Sequence, residues 1–173
     1  MNTLLLIFAG FTDIATKQAY TVPKYIPAII ETAHAVEAVE DIRAEKIDAY
    51  FAKRNMPLEG YGEQFIAVAD KYDMDWRLLP AIAVRESSGG RHLLNNNPFG
   101  WGSCKIAFED FNESIEVVGM HLSGNRESTA RYYKDNDVAE KLYWYNGTVL
   151  PSYPDEVMAI MDLFEKTEIN PTA

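Results

Sequence analysis

Apolar positions recur at helical spacing along most of this chain, and the exceptions are concentrated in one stretch. Val36, Val39, Ile42, Ile47, Tyr50 and Phe51 recur among charges and predict a helix over 36–54, ended by Asn55-Met56-Pro57. After a loop at Leu58 to Gly62, Phe65, Ile66 and Ala69 predict a second helix over 63–72. Leu79, Ile82 and Glu86 stand three and four apart and share one face of a third. Asp75 is placed to cap that helix, Pro80 falls in its first turns, and Gly89-Gly90 stop it. Residues 87–107 then lose the pattern. Gly89, Gly90, Asn95, Asn96, Asn97, Pro98, Gly100 and Gly102 punctuate them, and Cys104 to Phe108 leaves room for one short strand. Helical spacing returns at Phe111, Ile115, Val118 and Leu122, and short helices are predicted over 128–133 and 138–145. Asn146-Gly147 reads as a turn, and Pro151 and Pro154 keep the next stretch extended. A last helix is predicted over 155–166, with Val157, Ile160, Met161 and Phe164 inward. The class is mainly α, a compact helical domain with a long irregular loop.

Residues 1–35 read differently. Leu4 to Phe11 is an apolar run too short to span a bilayer. A second apolar stretch, Tyr25 to Ile30, leads to Ala33-His34-Ala35, a small-x-small pattern of the kind cleaved in export signals. Lys17 and Lys24 would supply the positive flank, while Glu31 interrupts it. Two readings stay open for 1–35, an export signal or an accessory segment packed on the domain. The domain proper is expected over 36–173.

Composition narrows the functions. The 173 residues are 47% hydrophobic and 12% aromatic, enough for one globular domain with its own core. Cys104 is the single cysteine, so no internal disulfide forms. The three histidines are scattered, no metal-ligand cluster is spaced for zinc, and no glycine-rich phosphate loop is present. No metal and no cofactor are expected. A net charge of −10, from 26 acidic and 16 basic residues, disfavours nucleic acid as a partner and does not favour an anionic membrane. An uncharged polysaccharide is compatible with it, and a monomer is expected.

Glu86 is the residue out of place. A carboxylate on an apolar stripe is rare without a partner or a task. Apolar surroundings and the negative end of a helix dipole both disfavour its charge, which predicts a carboxyl able to donate a proton near neutral pH. The alternative is a last-turn glutamate in solvent. The loop after it is too aromatic to be disordered. Phe99 and Trp101 offer ring faces to sugars and the asparagines offer amides; otherwise the two aromatics plug the core beneath the loop.

The run Asp75-Trp76-Arg77-Leu78-Leu79-Pro80-Ala81-Ile82-Ala83-Val84-Arg85-Glu86-Ser87-Ser88 resembles the helix of soluble lytic transglycosylases that ends in the catalytic Glu-Ser pair. Tyr145-Asn146-Gly147, with Tyr153 and Glu156-Val157, is similar to that family's later Tyr-Asn element and the helix after it. Asn96-Asn97-Pro98-Phe99-Gly100 and the Ser114-Ile115 helix are closer to bacterial glucosaminidase domains. The resemblance covers about residues 45–166 and implies an α+β lysozyme-like fold. The Gly-Leu-Met-Gln element of the transglycosylases and the Tyr-Ala-Thr-Asp-Pro element of the glucosaminidases are both missing.

The resemblance implies cleavage of a β-1,4 bond in peptidoglycan glycan strands outside the cytoplasm, with Glu86 as general acid and then base. Ser87, Ser88, Asn97, Phe99, Trp101, Tyr145, Asn146 and Tyr153 are the implied substrate-binding residues. A transglycosylase-like route needs one acid, whereas a hydrolytic muramidase or N-acetylglucosaminidase activates water. No second carboxylate identifies itself: Glu109, Asp110, Glu113 and Glu116 read as helix-start charges and a solvated face. A catalytically inactive glycan-binding domain and a helical adaptor with an acidic face are the alternatives of other classes.

Overall fold

The computed structural model describes residues 40–169. The expected export segment and the first residues of the predicted first helix lie outside the described residues. Among the described residues seven α-helices occur in order: α1 (Arg43–Ala52), α2 (Gly62–Lys71), α3 (Leu78–Ser87), α4 (Phe111–Leu122), α5 (Glu127–Tyr133), α6 (Val138–Leu142) and α7 (Tyr153–Glu165). A 3₁₀ turn at Trp101–Cys104 precedes α4, and a π-helical turn at Tyr143–Gly147 joins α6 to the chain leading to α7.

The predicted apolar stripes build the core. Ile47 and Phe51 of α1, Phe65 and Val68 of α2, Ile115 and Leu122 of α4, and Val157 and Phe164 of α7 are all buried. They close on α3, whose Leu78, Leu79, Ala81, Ile82 and Ala83 are buried on nearly every side. Its broadest packing is against α7, and Arg85 reinforces it by donating Nε–H to Glu156 at 2.6 Å. At the other end, α1 and α2 meet so closely that a Cβ on Gly62 would lie 2.3 Å from the Ala44 carbonyl oxygen. Asp48 fixes that junction by accepting the Gly60 and Gly62 N–H groups at 2.8 and 2.9 Å. Lys141 ties the far corner, donating to the carbonyls of Leu122 and Tyr133 at the ends of α4 and α5. Burial lowers its pKa, and the terminal helix carbonyls are natural cation partners.

Four expectations change. The strand allowed over Cys104 to Phe108 does not form, and no strand occurs among the described residues. Asparagine side chains take the place of a ladder: Asn95 donates to Cys104 O, Asn96 to Phe108 O and Glu109 O, and Asn97 to Trp101 O and Ile106 O. Asp75 does not cap α3 in the ordinary way. The N-cap is Arg77, and Asp75 instead accepts the Arg77 backbone N–H at 2.9 Å while pairing with its guanidinium. The helix predicted over 138–145 ends at Leu142, where the ladder widens; Thr148 N–H reaches Tyr143 O at 3.0 Å, five residues back. Finally, α7 begins at Tyr153 and not Asp155, because Pro154 falls in its first turn, where no backbone N–H is needed.

Candidate active site

Glu86 occupies the last turn of α3, one residue before the helix ends. Ser88 adopts the left-handed conformation (φ 56°), and Gly89 and Gly90 continue it with positive φ. Glu86 is half-buried and opens on a cavity of about 500 Å³, a size typical of small-ligand sites. Among the described residues it has no ion pair, because the neighbouring Arg85 is engaged by Glu156. It is the one carboxylate on the cavity wall among those residues.

The loop after α3 forms the floor. Gly100 takes φ 64°, and a Cβ there would lie 3.1 Å from Glu86 Oε2. Backbone and carboxylate therefore approach as closely as they can. Ser103 and Cys104, neither a glycine, also hold positive φ, a conformational cost common where a loop is shaped for a site. Gly100→Ala combines backbone strain with pressure on Glu86. It should cost about 1 kcal/mol of stability, read by a thermal melt.

Trp101 stands at the centre of the wall. Its ring lies 4.9 Å from His121, 5.7 Å from Tyr145 and 6.3 Å from Tyr133, centroid to centroid. Tyr145 donates its hydroxyl to the Phe99 carbonyl at 2.6 Å and stacks on Tyr153 at 5.9 Å with planes 7° apart. The widened π turn causes this placement. It turns Tyr145 and Asn146 toward the cavity and leaves Tyr143 and Trp144 at 49% and 44% exposure.

Tyr153 is 0% exposed, and its hydroxyl is the one buried side-chain polar atom without a hydrogen-bond partner among the described residues. Burial raises its pKa far above the ordinary phenol range, and Tyr145 and the Glu86 carboxylate raise it further. Tyr145 is held well above that range by burial first and Glu86 second. Both rings therefore present neutral phenols beside the carboxyl. An unpaired buried hydroxyl costs roughly 1–3 kcal/mol. Tyr153→Phe should accordingly leave stability unchanged or raise it by about 1 kcal/mol, read by a thermal melt. A lower melting temperature would show that the hydroxyl contributes to the fold.

The residues expected to bind substrate divide into two groups. Phe99, Trp101, Tyr145 and Asn146 line the cavity with Glu86, and Tyr153 backs Tyr145. Asn97 is buried with its side chain on Trp101: Oδ1 accepts the Trp101 N–H at 3.0 Å and Nδ2 donates to its carbonyl at 2.8 Å. It positions the indole and has no face on the cavity. Ser87 is buried in the helix end, donating to Ala83 O and accepting from Gly90 N–H, and Ser88 forms the αL cap. Phe99 lines the cavity although its side chain is 0% exposed and packs in the core, and its carbonyl holds the Tyr145 hydroxyl. His121, Thr129, Gly102 and Ser103 also line the cavity and were not marked by the sequence. The available signal for His121 was its place seven residues after Ser114, at the margin of the buried face of α4.

Of the acidic residues after the loop, the carboxylates of Asp110, Glu113 and Glu116 are engaged elsewhere. Asp110 caps α4 by accepting Glu113 N–H, Glu113 accepts Glu109 N–H, and Glu116 is held by Lys71 and Tyr72. Among the described residues there is no group of three or more His, Cys, Asp or Glu able to hold a metal ion, and no helix long and apolar enough to cross a membrane. No protein-family model, no curated protein and no solved structure matches the chain.

Proposed function

We propose that this protein cleaves β-1,4 glycosidic bonds in the glycan strands of peptidoglycan, on a lysozyme-like helical domain, with Glu86 as the acid. The observation that carries the reading is the solitary carboxyl of Glu86 on a cavity otherwise walled by aromatic rings, glycine backbone and uncharged polar groups. Ring faces such as Trp101 and Tyr145 suit the apolar faces of sugars, and the Asn146 amide suits their hydroxyl and acetamido groups.

Glu86 protonates the leaving glycosidic oxygen as the bond from the anomeric carbon breaks. The resulting carboxylate takes the proton of the same sugar's 6-hydroxyl, whose oxygen bonds to the anomeric carbon and closes a 1,6-anhydro ring. Glu86 is thereby reprotonated, and no water enters the product. One carboxyl performs both steps, which is why the absence of a second from the cavity wall among the described residues favours this transglycosylase-like route over the two-carboxylate hydrolysis. The substrate places its site of action outside the cytoplasm.

Purified cell walls test the reading. The protein should lower their turbidity and release soluble fragments. Binding to walls with no fragment release would leave an inactive glycan-binding domain in its place, and neither binding nor release would remove glycan from the account.

A further inference from the structure

His121 sits in the last turn of α4 and faces the same cavity as Glu86. Its Nδ1 lies 2.9 Å from Thr129 Oγ1. Thr129 Oγ1 also lies 3.3 Å from the Arg126 carbonyl, which can only accept. A hydroxyl has a single proton. Donated to that carbonyl, it leaves Thr129 Oγ1 as the acceptor of the Nδ1–H. In that arrangement the neutral imidazole carries its proton on Nδ1 and a lone pair on Nε2. Among the described residues Nε2 has no hydrogen-bond partner of its own. The ring is fixed on both sides, by Trp101 at 4.9 Å and by Thr129 across the α4–α5 corner that Lys141 ties down.

We propose that His121 Nε2 is an acceptor for an N–H or O–H of the uncharged N-acetylated sugar seated on Trp101, making His121 a specificity-determining residue of the Glu86 site. The inference rests on the glycan reading of that site. Its chemistry complements the rest of the wall, because a lone pair beside an aromatic face selects a ligand that is apolar on its face and a donor at its edge. Burial, and then the charge of Arg126, hold His121 below the ordinary imidazole range, so Nε2 stays an acceptor at neutral pH. Protonation would turn it into a donor. Sugar binding should then weaken as pH falls through a value below that of a free imidazole.

Other titrating groups around the ring are Glu86 from α3, Tyr145 from the π turn, Tyr133 from α5 and Arg126 just before α5. Tyr133 is pushed up to about 12 by burial and Tyr145 well above its ordinary value. Neither changes charge in acid, and Arg126 stays charged.

The test is calorimetric binding of tetra-N-acetylchitotetraose on a Glu86→Gln background, where no turnover intervenes. His121→Asn keeps an amide N–H at the Nδ1 position for Thr129 and removes the Nε2 acceptor. It should bind about tenfold more weakly with an unchanged melting temperature. His121→Gln returns a carbonyl oxygen near the Nε2 position and should recover most of the affinity, with the acid-side loss of binding abolished. Equal binding by His121→Asn and its parent overturns the inference while the glycan reading stands. Weaker binding accompanied by a lower melting temperature, with no recovery in His121→Gln, assigns His121 to structure and also overturns it. No binding by the parent, together with no wall lysis by the unmodified protein, removes both readings at once.

Discussion

Glu86→Gln should abolish wall lysis, with a loss of at least a hundred- to ten-thousandfold, the range that a positioned general acid supplies. The amide is nearly isosteric and keeps the half-buried volume filled, yet it cannot deliver a proton to a leaving oxygen. Glu86 has no ion pair to break among the described residues, since Arg85 is engaged by Glu156. The melting temperature should therefore stay within a few degrees of the parent. Full lysis by the variant would remove Glu86 from the chemistry, and a large fall in stability would make the lost activity uninformative.

Phe99→Ala should have the largest effect on stability. The ring is 0% exposed and belongs to the core, and truncating a buried phenylalanine costs about 3–5 kcal/mol. That is a large share of the roughly 5–15 kcal/mol that holds a typical domain together. Denaturant titration should show the loss as a lower midpoint. The same change loosens the Phe99 backbone, whose carbonyl holds the Tyr145 hydroxyl, so activity should fall even where the protein remains folded. Were Phe99 instead a sugar platform, the midpoint would not move and only the affinity for substrate would weaken.

Much of this arrangement was legible in the spacing of residues. Helical periodicity identified α1, α2, α4 and α7 because each has one buried face and one solvated face. The end of α3 was legible from Gly89-Gly90, which left Glu86 in the final turn. The π turn was not, because a single widened turn leaves the apolar spacing of its neighbours intact while rotating the residues beyond it. Tyr145 and Asn146 therefore came from a resemblance and not from a period. The loop over 87–107 was legible as irregular but not in its construction. Asn95, Asn96 and Asn97 look alike in sequence, and it takes the fold to show that their amides hold the loop's own carbonyls. His121 escaped notice because a lone histidine beside an apolar stripe is usually a packed residue. Its role depends on Thr129, which is brought to it only when α5 folds back on α4.

The carboxylates after the loop illustrate the same limit. Glu109, Asp110, Glu113 and Glu116 stand within reach of Glu86 in sequence terms, and composition alone leaves them open as partners. Hydrogen bonds hold three of these carboxylates: Asp110 and Glu113 organise the start of α4, and Glu116 joins α4 to α2, while Glu109 takes part through its backbone N–H. Glu86 is left as the single carboxyl on the cavity among the described residues.

The central claim, that Glu86 drives glycan cleavage without a second carboxyl, is tested most directly by mass spectrometry of the soluble products from purified peptidoglycan. The unmodified protein should yield new strand ends closed as 1,6-anhydro sugars, and Glu86→Gln should yield none. Intact strands after digestion, or the same ends released by both proteins, would contradict it.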